Sequence, residues 1–108
     1  MEVGDLWFTQ RTLKRAYEIP KLVSLLHGDD FFKTPIELQI CEDGEIEIVN
    51  GHHRIVAIYL AGRQLRREDY LIFLTERSKG RFWQVRDLKL KTNLLQSIVP
   101  SSNGRTQA

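Results

Sequence analysis

Cysteine is nearly absent: Cys41 is alone among 108 residues, so the chain can form no internal disulfide and no thiolate metal cluster. A reducing, cytoplasmic setting is the expectation. Long apolar runs are missing too. No stretch reaches the ~18–20 apolar residues of a membrane helix, and Met1-Glu2-Val3-Gly4-Asp5 lacks the basic-then-apolar order of an export signal. A soluble chain without a membrane partner follows. Neither sign of charge dominates: 16 Lys and Arg against 14 Asp and Glu leave +2, too little to identify a nucleic-acid binder by total charge. No internal repeat is visible.

What is present fits one small domain, because a chain 42% hydrophobic and 28% charged can bury a single core but not build two. Residues 1–98 are read as that domain. Residues 99–108 offer almost nothing to bury and read as a flexible tail.

After Leu6-Trp7-Phe8, Thr9 stands where a helix cap would, predicting a first helix over about 10–17. Pro20 suits the first turn of a second helix, with Leu22, Val23, Leu25 and Leu26 as its apolar side and Gly28 as its end. Phe31 and Phe32 read as core. From Pro35 the period becomes two: Ile36, Leu38 and Ile40 share one face of a strand, and Glu45-Ile46-Glu47-Ile48 alternates again beyond Asp43-Gly44. An antiparallel hairpin is predicted, with Glu42, Asp43, Glu45 and Glu47 on its solvated face rather than at a metal. The apolar run Ile55 to Ala61 ends at Gly62 as a buried helix does. Arg63 to Asp69 is a polar connection and Tyr70 to Leu74 another strand. Beyond Gly80, Trp83, Val85, Leu88, Leu90, Leu94, Leu95 and Ile98 suggest further helical pieces. The fold class is therefore α/β (α+β), a small mixed sheet with helices.

One junction carries chemistry. At Val49-Asn50-Gly51-His52-His53-Arg54 a strand turns at a glycine into a helix, leaving unpaired amides at the positive end of the helix dipole. Such a site attracts anions, and phosphate suits it: Gly51 allows close approach, Arg54 offers a forked donor set, and His52 or His53 adds donors or moves a proton. The plainer alternative is that the histidines cap the helix and Arg54 pairs with a hairpin carboxylate. Zinc is disfavoured, since adjacent histidines diverge on a helix and only His27 remains as a third.

This segment, with Thr34-Pro35-Ile36-Glu37-Leu38 before it and Leu60-Ala61-Gly62 after it, resembles the ParB/sulfiredoxin superfamily (ParB-like nuclease domain). The layout match runs from about Thr9 to Leu74. The resemblance implies a ParB/sulfiredoxin-like fold and a nucleotide, ATP or CTP with Mg2+ as a candidate counter-ion. Gly51, His52, His53 and Arg54 would line its phosphates, with Thr34 and Asn50 as neighbours and Thr9 and Gln10 close by. If phosphate is hydrolysed or transferred, Arg54 stabilises the developing charge and His52 or His53 positions or deprotonates the nucleophile. The departures matter as well. His52 stands where sulfiredoxins place their catalytic cysteine, which argues against sulfinic-acid reduction. The Gly-Glu-Arg-Arg turn, the Glu-Asn motif and the helix-turn-helix domain of partitioning ParB proteins are not found. Asn50 replaces the Asp that precedes the turn in the related free serine kinases, leaving Glu18 and Asp5 as candidate carboxylates.

Two other classes stay open. Arg77, Lys79, Arg81, Trp83 and Arg86, within a basic stretch from Glu76 to Lys91, suit DNA or RNA binding or a nuclease module, with Arg63, Arg66 and Arg67 as an extension. A non-catalytic module that binds a protein partner through an exposed apolar patch is the third.

Overall fold

The computed structural model describes residues 1–88. A five-stranded mixed sheet runs in the order β4-β2-β3-β1-β5, with β1 at Trp7–Phe8, β2 at Ile36–Ile40, β3 at Ile46–Asn50, β4 at Tyr70–Leu74 and β5 at Trp83–Gln84. Helices α1 (Ile19–Ser24) and α2 (His52–Leu60) pack on each other. The centre is the expected hairpin: β2 and β3 pair antiparallel, with Leu38 opposite Ile48 and Ile40 opposite Ile46. Strand β4 adds parallel to β2, Ile36 beside Tyr70 through Ile40 beside Leu74. On the other side β1 lies parallel to β3 and antiparallel to β5.

Alternation explains the core. Ile36, Leu38 and Ile48 present one sheet face, and they join Ile55, Val56, Ala57 and Ile58 of α2 in a single cluster with Leu6, Phe8 and Ile19. Helix α2 is nearly apolar all round because sheet and α1 both cover it. It stops where the sequence predicted: Gly62 adopts φ +72°, its N–H bonds the Tyr59 carbonyl at 3.0 Å, and the Arg63 N–H reaches the Ile58 carbonyl at 3.1 Å. Phe31 is buried, with Phe32 edge-on to it at 4.8 Å. No helix among the described residues is long and apolar enough to cross a membrane.

Three expectations are corrected. The helix over 10–17 does not form; residues 10–15 run through bends and turns, and only Ala16–Glu18 makes a 3₁₀ turn ahead of α1. Thr9 is no cap, because its hydroxyl donates to the Ile48 carbonyl at 2.6 Å and its N–H to His52. Trp83–Gln84 is an edge strand rather than helix, followed by a 3₁₀ turn at Val85–Leu88. The proposed run through Leu90, Leu94, Leu95 and Ile98, and the tail 99–108, lie outside the described residues.

The third correction concerns Glu47, expected on a solvated face and found fully buried. It sits on the sheet face opposite Leu38 and Ile48, beneath the β4–β5 connection. Four groups hold it: the Ser78 hydroxyl, the Lys79 N–H at 2.9 Å, Arg81 Nε at 2.7 Å and Gln39 Nε2 at 2.8 Å. Arg81 extends the pair by gripping Asp43 with both terminal nitrogens, at 2.8 and 3.0 Å. Burial pushes the Glu47 carboxyl up, but the bonds from Ser78, Lys79 and Arg81 outweigh it and bring the pKa from 4.5 down to about 2. The resulting stabilisation is complete above pH 4.5 and is lost as pH falls towards 2. Glu47→Gln, which leaves Arg81 short of its buried partner, is expected to cost about 3 kcal/mol at pH 7 in urea unfolding. That cost should shrink at pH 2, and a cost unchanged with pH would contradict the assignment.

Candidate functional site

The junction between β3 and α2 is a single residue. Gly51 holds φ +108°, a left-handed conformation open to glycine. A Cβ there would lie 3.1 Å from Ile36 Cγ1, so the turn is closed to larger residues on packing grounds too. The first bond of the helix runs from the Ile55 N–H to the Gly51 carbonyl at 2.9 Å. The amides of His52, His53 and Arg54 therefore precede any intrahelical acceptor and face outward at the positive end of α2.

The three side chains of this turn diverge. His52 is buried, edge-on to Phe8 with ring centroids 5.4 Å apart, and its Nε2 accepts the Thr9 N–H at 3.1 Å. Burial, helped by the positive charges of His53 and Lys79, lowers its pKa from 6.5 to about 4. The ring is neutral and ties the end of β1 to α2. His53 is half-buried and accepts the Arg15 N–H at 3.3 Å. Its pKa is also lowered, by burial first and then by Arg15.

Arg54 does not pair with a hairpin carboxylate. Its Nη1 donates to the backbone carbonyls of Phe31, at 3.1 Å, and Thr34, while Nη2 lies against Gly51. Glu37 acts on it only through space; burial is the larger influence and lowers its pKa. Thr34 thus meets Arg54 through its carbonyl, and exposed Asn50 closes β3 at the edge of the site.

A cavity of about 280 Å³ opens over the turn, lined by Asn50 to Arg54 with Gln10, Arg15 and Glu18. On one side it meets a groove of about 760 Å³ through Gln10, Arg15 and His53; Arg11, Lys14 and Phe82 line the rest. On the other side, Leu22 and Arg54 are shared with an apolar chamber of about 520 Å³. Of the two candidate carboxylates, the fold brings Glu18 to the turn, 3.5 Å from Arg15 Nε. Asp5 is elsewhere, paired with Arg86.

Sequence reasoning passed over the basic loop Arg11, Lys14 and Arg15, although the run Arg11-Thr12-Leu13-Lys14-Arg15 was there to read. It also had no means of finding the chamber, which α1 and the loop before β2 enclose together. The residues proposed for nucleic acid lie along the β4–β5 connection, β5 and the 3₁₀ turn that follows it. Arg81 is engaged by Glu47 and Asp43, Arg86 by Asp5, and Trp83 Nε1 donates to the Arg11 carbonyl at 3.1 Å. Arg77 and Lys79 are exposed on the β4–β5 connection. Among the described residues no group of three or more His, Cys, Asp or Glu side chains is placed to hold a metal.

No family model, curated protein or solved structure matches this chain.

The neutral His52 sets a pH dependence. An unfolded chain takes up a proton here near pH 6.5, whereas the folded ring does so only near pH 4. Protons therefore favour unfolding in that interval, and stability falls as pH drops through it, by up to about 3 kcal/mol. Urea unfolding across pH 4–7 is expected to show this slope in the parent protein and a flatter one in His52→Asn; equal slopes would show that His52 is not the group responsible.

Proposed function

We propose that this protein binds a nucleoside triphosphate or related phosphate ligand at Gly51–Arg54, in a domain of ParB/sulfiredoxin type. The observation that carries the reading is Arg54. Arg54 is half-buried and gives Nη1 to two backbone carbonyls, and none of the ion pairs among the described residues involves it. It stands instead beside three outward-facing amides, on the wall of a cavity whose other cation is Arg15. An anion with several acceptor oxygens completes this arrangement. Magnesium, if used, would arrive with the phosphates.

Hydrolysis or phosphoryl transfer would draw on the same cavity. Arg54 is the group to stabilise developing phosphoryl charge. His53, which is half-buried and lines both the cavity and the groove, suits proton transfer better than the buried His52. Glu18 supports the carboxylate role. A second reading, a protein-binding module, draws on β4, where Leu71, Phe73 and Leu74 are 46%, 51% and 88% exposed on an edge strand.

Calorimetric titration with ATP and CTP, each with and without Mg2+, tests the phosphate reading. Saturable binding is expected, weakened about tenfold or more in Arg54→Ala and less in Arg15→Ala, because the exposed cation is better screened. Arg54 also braces residues 31–34, so both variants are compared at matched unfolding midpoints. Affinity unchanged in a folded Arg54→Ala, or no binding to the parent protein, overturns the reading.

A further inference from the structure

We propose that β4 is the interface of a symmetric dimer, in which it pairs antiparallel with β4 of a second copy across a two-fold axis at Ile72. This is independent of the phosphate reading and names the occupant of the strand on which the protein-binding reading draws. Strand β4 lies at one edge of the sheet, and it pairs with β2 in unbroken register from Ile36 beside Tyr70 to Ile40 beside Leu74. Within the strand itself nothing keeps its outer side from pairing: Tyr70-Leu71-Ile72-Phe73-Leu74 holds no charge, no proline and no bulge. The opposite edge, β5, is only two residues long and short enough to need no such protection.

The hydrogen-bonding pattern of the edge is complementary to itself. The Thr75 N–H bonds the Ile40 carbonyl at 3.0 Å, and successive residues of a strand turn their N–H and C=O to alternate sides. Leu71 and Phe73 therefore turn theirs to β2, while Tyr70, Ile72 and Leu74 turn theirs to the open edge. Those three are symmetric about Ile72. An antiparallel copy centred there sets Ile72 against Ile72 and Tyr70 against Leu74 as bonded pairs, and Leu71 against Phe73 on the outer sheet face. The three exposed apolar side chains of the strand, Leu71, Phe73 and Leu74, each gain a cross-strand neighbour. A shift of one residue would mismatch the faces, and a shift of two in either direction sets Leu71 or Leu74 against a residue beyond the strand.

Charge selects the same orientation. The Arg67 guanidinium lies over the Tyr70 ring at 5.2 Å and donates to the Tyr70 carbonyl at 3.3 Å, which places a cation at one end of the open edge and leaves that oxygen a second lone pair. Glu76 follows the other end, and neither residue belongs to an ion pair among the described residues. Antiparallel pairing brings Arg67 towards Glu76 of the second copy, whereas parallel pairing would set Arg67 beside Arg67. A strand that completes itself in this way fits its own copy, and the contact closes at two chains.

Sedimentation equilibrium of the full chain is expected to show a monomer–dimer equilibrium that shifts with concentration, because one strand pair and its side chains make a small interface. Phe73→Lys puts a charge on the outer face, and Leu74→Pro removes an edge N–H that β2 does not use. Each should weaken association about tenfold or more, whereas Leu60→Lys, at an exposed apolar residue ending α2, should leave it unchanged. In a mixture of labelled and unlabelled protein, isotope-filtered NMR should show the Leu71 methyls of one copy against the Phe73 ring of the other. The Tyr70, Ile72 and Leu74 amides should exchange more slowly as concentration rises. A chain monomeric throughout overturns the dimer: if those amides exchange rapidly the edge is open to an unlike partner, and if they are protected the chain's own remainder covers it. Association that resists both β4 substitutions, or falls as far in Leu60→Lys, places the contact elsewhere and overturns it too. Should neither β4 variant fold, absence of the Leu71–Phe73 contact between copies overturns the proposal alone. No nucleotide enters these measurements, so their failure leaves the phosphate reading standing.

Discussion

The bond from the Thr9 amide to the neutral ring of His52 is the contact on which the site depends. Strand β1 is only two residues long, and a strand that short does not fix the direction of the chain leaving it. His52 does so, because its ring is packed against Phe8 and rooted in the first turn of α2. The Thr9 hydroxyl adds a bond to the Ile48 carbonyl, so strand, loop and helix meet at one residue. The loop carrying Arg11, Lys14 and Arg15 is thereby held beside the amides of α2. A second histidine repeats the device one position along, His53 accepting the Arg15 N–H. Both rings act as acceptors, which requires them unprotonated, and burial lowers both pKa values.

On the opposite sheet face a buried carboxylate does comparable work. Glu47 lies on β3, the central strand of the sheet, beside Gln39 of β2 and Trp7 of β1. An ionised group there is tolerated only if its oxygens are satisfied, and the connection from β4 to β5 supplies most of the donors. The chain between the two edge strands is thus fastened to the centre of the sheet. Trp83 of β5 in turn donates to the Arg11 carbonyl, so this fastening reaches the rim of the groove.

The elements legible in the sequence were those whose signal is periodic and local. The hairpin from Ile36 to Ile48 and the helix closed by Gly62 follow from spacing alone, and the strand-to-helix turn at Gly51 from the glycine between them. What failed depended on partners distant in sequence. Thr9 carries a capping residue's chemistry, but its acceptor is Ile48, 39 residues away. Glu47 alternates like any outer-face residue until a segment 31 to 34 residues later covers it. Arg81 and Arg86 read as free cations because nothing local shows that Asp43, Glu47 and Asp5 will face them. Arg54 was read as a forked phosphate donor, and half of that fork is occupied by backbone carbonyls.

That occupation sharpens the chemistry of the site. With both histidines neutral near pH 7, the positive potential over Gly51 comes from the α2 dipole, Arg54 and Arg15. That charge therefore does not rest on a protonated histidine. His53 lines both the cavity and the groove. Burial lowers its pKa and Arg15 lowers it further, with Glu18 opposing, so the ring enters any reaction as a base rather than an acid. On the proposed reading, the anion is held by fixed charge and the proton moved by a separate neutral ring, so binding and proton transfer fall on different side chains and each can be lost without the other.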